Sequence, residues 1–146
     1  MISLDELEVR DVMSTDPVCL RRETAVAEAI QVLVGRGLQG APVVDEVGDL
    51  VGVVSTSDLL AALAPAYREG EPLDVHTLHE LKLRQVHALL EGPPITVEEG
   101  LALGAACQLM VKERVHRLVV TRGERPVGMF SAIDLVRVAA CLAAKE

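Results

Sequence analysis

The sequence predicts an α/β (α+β) fold built from two tandem repeats, each with the order strand, helix, strand, strand, helix. Three observations support this prediction. One series of features occurs twice along the 146 residues, apolar residues alternate between helical spacing and short valine-rich runs, and glycine or proline separates these segments. Half of the residues are hydrophobic, which is enough for a core without disulfides or metals.

The duplication is visible when the two halves are aligned. The stretch "DPVCLRRETAVAEAIQVLVGRGLQGAPVV" overlays "PPITVEEGLALGAACQLMVKERVHRLVV", which places Pro17 on Pro94 at an offset of 77 residues. Further along, Gly52 falls on Gly128 at an offset of 76. The one-residue shift lies in a turn, where such a loss is easily tolerated. The order of features therefore repeats even though identity is modest.

The elements of the first repeat follow from its periodicity. A short strand follows a proline, a helix has its apolar residues on one side, two valine-rich strands flank a turn, and a second helix begins at once. The predicted bounds are 18–20, 24–36, 42–45, 50–55 and 57–63. The second repeat gives 95–97, 101–113, 117–121, 126–131 and 132–144. An additional helix is predicted at 79–90, and the sequence divides into repeat 1 (1–64), a connector (65–78) and repeat 2 (79–146).

Composition excludes several classes of function. A net charge of −8 opposes general nucleic-acid binding, and the near absence of aromatic residues opposes base stacking. No apolar run is long enough to cross a membrane, and the first residues lack the layout of a signal peptide, so we expect a cytoplasmic protein. Three widely spaced cysteines and three histidines from the stretch between the two copies form no metal motif, and we expect no metal site: Cys19, Cys107, Cys141, His76, His79 and His87.

The last helix is apolar on nearly every side, in "AIDLVRVAACLAA". Such a helix must be buried all round, yet in a small domain only one face can meet its own sheet. The segment 101–111 has the same excess of apolar residues. We therefore predict a homodimer that buries these helices.

The motif "STSD" at residues 55–58 has two interpretations. Ser55 and Asp58 fit a capping box that starts a helix, as do Ser131 and Asp134 in the second repeat. The alternative is a ligand site, because a helix N-terminus favours phosphate, Ser55 and Ser57 offer hydroxyl donors, and Asp58 can accept from two neighbouring hydroxyls. The residues alone leave both interpretations open.

Taken together, these segments resemble a pair of CBS domains, a family named for cystathionine beta-synthase. The resemblance runs from about Val9 to Leu142 and is carried by "VRDVMSTDPVCL", "APVVDEVGDLVGVVSTSDLL" and "VHRLVV". It implies two repeats packed with pseudo-twofold symmetry, two clefts between them, and dimers formed through the helices. Family members commonly bind AMP, ADP, ATP or S-adenosylmethionine in these clefts.

The resemblance also assigns roles to residues. It implies that the acid of the motif binds ribose and that His116 and Arg117 reach the phosphates of a ligand held by the other repeat. The small stretch 40–42 could lie against adenine. The candidate ligand-binding residues are Asp58, Ser55, Ser57, Gly40, Ala41, Pro42, His116, Arg117, Asp134 and Ser131. The second site is expected to be weaker, because Ile133 replaces a hydroxyl and Gln39 and Gly40 replace the cations.

The predicted function is a regulatory module that senses an adenine nucleotide or an adenosyl compound, with AMP, ADP or ATP favoured and no cofactor required. The alternative is a structural dimerisation module without a small ligand. An enzyme is not expected, because the chain has no nucleophile–base pair, Walker loop or metal set. A regulatory module would act on another protein, which the sequence does not identify.

Overall fold

The computed structural model describes residues 3–144. Their elements follow the predicted order, with short 3₁₀ turns between several of them. The strands and helices are β1 (Ser14–Thr15), β2 (Leu20–Arg21), α1 (Val26–Gly35), β3 (Gly40–Val44), β4 (Leu50–Ser55), α2 (Thr56–Leu63), α3 (Val75–Leu83), β5 (Thr96–Glu98), α4 (Leu103–Glu113), β6 (Arg117–Arg122), β7 (Arg125–Ser131) and α5 (Ala132–Ala144). The fold is thus mixed α/β with two sheets, as the sequence predicts.

The chain forms two compact units, and the first of them runs from Val18 to Pro94. Its sheet has the order β2-β3-β4, with β2 parallel and β4 antiparallel to β3. Strand β3 is central and apolar, so its side chains are buried. The helices bury one stripe against this sheet through residues such as Val26, Leu33 and Leu59.

The second unit combines the residues before Val18 with those from Ile95 onward. Its sheet has the order β1-β7-β6-β5, because the two-residue strand β1 pairs antiparallel with β7. The pairing brings the chains so close that a methyl group at Gly128 would lie 2.7 Å from the carbonyl oxygen of Ser14. Only glycine fits at this position without a shift of backbone. The core of this unit is centred on Phe130 and Leu118.

The helix predicted at 79–90 is wrong. Helix α3 begins at Val75 and ends at Leu83, and a separate 3₁₀ turn covers Val86–Leu89. Arg84 between them is extended, with φ −72° and ψ 132°. The reason is a pairing at long range: the Val26 amide donates to the Arg84 carbonyl oxygen at 2.8 Å. This bond engages the backbone that a continuous helix would use.

The other predicted elements lie within two residues of their observed ends, and β4 and α5 match at both ends. The division into repeats at 1–64, 65–78 and 79–146 stays a prediction. It divides the sequence by its duplication, whereas the two units are defined by which residues lie together in the fold. No helix formed by residues 3–144 is long and apolar enough to cross a membrane.

Helix α5 is not buried all round within the chain. Ile133 and Val136 are more than half exposed, and Asp134 is the one buried residue within the described length of this helix. The contacts that the described residues make with one another therefore leave apolar side chains of this helix exposed, and its burial by a second subunit stays a prediction.

Candidate functional site

The N-terminus of α2 carries the first candidate site. Strand β4 ends at Ser55, whose extended backbone (φ −119°, ψ 165°) allows the helix to begin at the next residue. The Asp58 carboxylate oxygen Oδ2 accepts from the Ser55 amide at 2.7 Å and from the Ser55 hydroxyl at 3.0 Å. The Asp58 amide in turn donates to Ser55 Oγ at 3.2 Å. The capping-box interpretation of "STSD" is confirmed.

The cap leaves half of the carboxylate unused. Oxygen Oδ1 of Asp58 has no hydrogen-bond partner or counter-ion among residues 3–144, and the side chain is half-buried. Ser57 is exposed beside it. The cap therefore fixes the orientation of the carboxylate and leaves one oxygen free to accept from a ligand. The two interpretations of the motif are compatible.

The second repeat has the same cap with one difference. Asp134 Oδ2 accepts from the Ser131 amide at 2.8 Å and from the Ser131 hydroxyl at 3.0 Å. Its other oxygen, Oδ1, faces Arg137 Nη1 at 3.6 Å, whereas the first repeat has Ala61 at the equivalent place. The Asp134 side chain is also only 9% exposed. This acid is thus less accessible to a ligand than Asp58.

The first residue of the middle strand lies beside the capping serine in each repeat. Gly40 is paired with Ser55 in the first unit, and Arg117 is paired with Ser131 in the second. The first amide of the following helix also bonds in the same way in both repeats. The Thr56 amide donates to the Gln39 carbonyl oxygen at 3.0 Å, and the Ala132 amide donates to the His116 carbonyl oxygen at 2.9 Å. The predicted alignment of residues 116–117 with 39–40 is therefore correct.

The remaining predicted site residues differ in accessibility. His116 is exposed and Arg117 half-buried, and burial lowers the pKa of the Arg117 guanidinium from its usual value. Ala41 and Pro42 lie in the core of the first unit. A ligand can therefore reach this stretch only near Gly40, and adenine packing there stays a prediction, as do the phosphate contacts of His116 and Arg117.

Asp58 also lines a half-open cavity of about 340 Å³ at the surface of the first unit. Helix α2 contributes Asp58, Ala61 and Ala62, and the segment after α3 contributes Arg84, Ala88 and Glu91. Pro65 and Leu89 complete the wall. The volume lies within the range of small-molecule sites. The wall combines small apolar side chains with two carboxylates and one guanidinium.

Sequence reasoning missed Arg84 and Glu91. Neither belongs to a local motif, and Arg84 fell inside the helix predicted at 79–90. The turn at Val86–Leu89 packs against α2 and β4, and the side chain of Leu90 occupies the space beside Gly52 of β4. A methyl group at Gly52 would lie 2.8 Å from Leu90, a close approach that only the fold makes visible.

Metal ligands are not grouped in the described part of the chain. Residues 3–144 contain no cluster of three or more His, Cys, Asp or Glu side chains that could hold an ion. His76 is instead paired with Glu80 at 3.2 Å, and His87 contacts Gln85 at 2.7 Å.

Comparison with known proteins identifies the repeated unit. A model of the CBS domain family matches residues 9–65 and 86–140. An uncharacterised protein of Methanocaldococcus jannaschii is 29% identical over 136 residues, which are 92% of this chain and 29% of that protein. A CBS domain-containing protein of Dictyostelium discoideum is 28% identical over 88% of both chains. The first relatives matched are longer proteins, of which the chain spans between about a fifth and two fifths.

Solved structures show the same fold. CBSX2 in complex with AMP has a TM-score of 0.76 and 26% identity, and the match covers 93% of this chain and 98% of that one. A CBS domain pair solved with 5′-methylthioadenosine and S-adenosyl-L-methionine has a TM-score of 0.75 and 22% identity, with 96% and 98% covered.

Proposed function

The chain belongs to the CBS domain family, and from this premise we propose that it is a regulatory module without catalysis that binds an adenine nucleotide or an adenosyl compound. The observation that carries the proposal is the carboxylate of Asp58, which lines a cavity of about 340 Å³ and is oriented by the cap, while its Oδ1 has no partner within residues 3–144. A fixed carboxylate is suited to two neighbouring ribose hydroxyls. The AMP and adenosyl ligands of the similar structures support this class of ligand.

The proposal gives the two repeats unequal roles. Asp58 supplies the main ribose acceptor, assisted by the exposed hydroxyl of Ser57. Asp134 supplies a weaker one, since Arg137 lies beside it and Ile133 takes the place of the hydroxyl. The first ligand molecule to bind each chain should therefore occupy the site of the first repeat. His116 and Arg117 remain the proposed contacts for a phosphate.

A screen of melting temperature tests the proposal. A ligand that binds only the folded state raises the melting temperature. At a ligand concentration of about a hundred times Kd, it adds about 2.7 kcal/mol to the free energy of unfolding. AMP, ADP, ATP, adenosine and S-adenosylmethionine form the set, with GMP as the control. No shift with any adenine compound at millimolar concentration would reject the proposal and favour a purely structural module.

We also propose that the module is a homodimer. The repeats expose apolar residues at equivalent helix positions: Val34 and Val111 at 75% and 80%, Leu60 and Val136 at 67% and 58%. A partner copy would cover such residues through matching helices, because a twofold interface buries the same patch on both chains. Leaving these side chains in water costs about 25 cal/mol per Å².

The target of regulation would be another protein, since a module without catalysis acts through a partner. No disulfide joins the three cysteines, which is compatible with a reducing cytoplasm: Cys19, Cys107 and Cys141.

A further inference from the structure

The cavity beside Asp58 has three charged groups on its wall. Asp58 and Glu91 are carboxylates, and Arg84 is a guanidinium. Within residues 3–144, neither Arg84 nor Glu91 has a hydrogen bond or ion pair through its side chain, and Asp58 uses only Oδ2. The cavity wall therefore carries one cation and two anions, and the Arg84 and Glu91 side chains make no hydrogen bond or close ion pair with another described residue.

The backbone holds Arg84 at this wall. Its amide donates to the Glu80 carbonyl oxygen at 2.8 Å, which ends α3, and its carbonyl oxygen accepts from the Val26 amide at 2.8 Å. Both bonds involve only the main chain. The side chain is therefore available to a ligand, and a substitution of Arg84 leaves the fold of the segment in place.

The charges on the wall discriminate between ligand types. A phosphate dianion would meet one guanidinium and two carboxylates, whose net charge of −1 repels it. An amino acid group offers a carboxylate to the guanidinium and an ammonium to the second carboxylate, so each charge meets its opposite. The alanines between them leave room for methylene groups and the flat side of a nucleoside: Ala61, Ala62 and Ala88.

We propose that Arg84 and Glu91 are specificity residues that bind the carboxylate and the ammonium of a nucleoside's 5′ substituent while Asp58 binds its ribose. The inference rests on the proposed function and narrows its ligand class from adenine compounds in general to adenosyl amino acids. It assigns the cavity of the first unit to the amino acid part of the ligand. It also predicts that a nucleoside monophosphate binds there less tightly than an adenosyl amino acid.

The test compares two thioethers that share the adenosyl group. S-adenosylhomocysteine carries the amino acid tail, and 5′-methylthioadenosine carries a methyl group instead. Calorimetry on the wild-type chain should give S-adenosylhomocysteine at least a tenfold lower Kd, since one charge-assisted hydrogen bond contributes about tenfold. AMP should bind more weakly than S-adenosylhomocysteine.

Variants then locate the tail. Arg84→Ala should weaken the binding of S-adenosylhomocysteine about tenfold. Glu91→Gln should weaken it about fivefold, because the ion pair between the exposed Glu91 and the ligand's ammonium is screened by water. Neither should change the Kd of 5′-methylthioadenosine. Arg84→Lys should restore part of the loss. Lys82→Ala is the matched control: it removes the same charge from an exposed site two residues away that does not line the cavity.

Four other results would overturn the inference. Equal affinity of the wild type for both thioethers, or tighter binding of AMP, would reject the specificity while the proposed function stood. An equal loss of both thioethers in Arg84→Ala would give Arg84 a structural role. Absence of binding by every adenine compound would reject the proposed function together with the inference.

Discussion

Replacing Asp58 by asparagine separates the cap from the ligand contact. In the Asp58→Asn variant, the side-chain carbonyl oxygen can take the place of Oδ2, which accepts from Ser55. The side-chain nitrogen then takes the place of the free Oδ1, and it donates where the carboxylate accepts. The helix start should survive this change, whereas an acceptor for ribose hydroxyls is lost.

The magnitude follows from the number of bonds. A hydrogen bond to a charged group contributes about 1.5–3 kcal/mol, and the half-buried position of Asp58 argues for the lower value. Two hydroxyls then give about 3 kcal/mol, which is about a hundredfold in Kd. We expect this loss for adenosine in calorimetry, together with a fall in melting temperature of no more than about 2–4 °C.

The ligand itself supplies the sharpest control. 2′,3′-Dideoxyadenosine lacks both hydroxyls, so its Kd should be the same for the wild type and for Asp58→Asn. Asp134→Asn is the matched change in the second repeat, and we expect it to alter the binding of the first adenosine by less than about threefold. Ser55→Ala removes a capping hydroxyl and should lower stability by about 1 kcal/mol.

Two results would refute the reasoning. If Asp58→Asn weakened adenosine and its dideoxy analogue equally, the carboxylate would act through the fold. If Asp134→Asn abolished binding and Asp58→Asn did not, the site would belong to the other repeat.

Three further predictions concern assembly and stability. Val136→Glu should convert a dimer to a monomer in light scattering, whereas Val47→Glu, an equally exposed turn residue, should not; a monomeric wild type would refute this. Gly128→Ala should destabilise by about 1–3 kcal/mol in urea, and Gly35→Ala, which has open space, should not destabilise; equal effects would contradict the close approach. The hydrogen bond from the Thr77 amide lowers the pKa of Asp74, so its stabilising effect is complete above the unfolded pKa of about 3.9 and is lost as pH falls through the lower folded pKa. Asp74→Asn should reduce this acid dependence in thermal melts, and an unchanged dependence would contradict it.

Local patterns predicted most of the fold. The valine-rich run at 50–55 and the apolar run after Ala132 are properties of neighbouring residues, and the predicted bounds of β4 and α5 agree with the observed ones. The pairing of β1 with β7 was missed because it joins residues more than a hundred positions apart. The end of α3 was predicted wrongly for the same reason, since a hydrogen bond from the distant Val26 amide engages the carbonyl oxygen of Arg84.

The candidate site divides in the same way. The cap at Ser55 and Asp58 was readable because a capping box is a motif of four consecutive residues. The cavity was not, because Arg84 and Glu91 line the same cavity as Asp58 only after the turn at Val86–Leu89 has packed against α2. The sequence shows that these charged residues exist but does not show that they line one cavity.

The cap and the ligand site need not compete, because a carboxylate has two oxygens and a helix start uses one. Each repeat uses Oδ2 to hold its serine, so both helices begin in the same way. What differs is the residue one turn later: Ala61 leaves the first carboxylate open, and Arg137 places a guanidinium beside the second. A duplicated motif can therefore keep its structural role in both copies while its capacity to bind a ligand is concentrated in one.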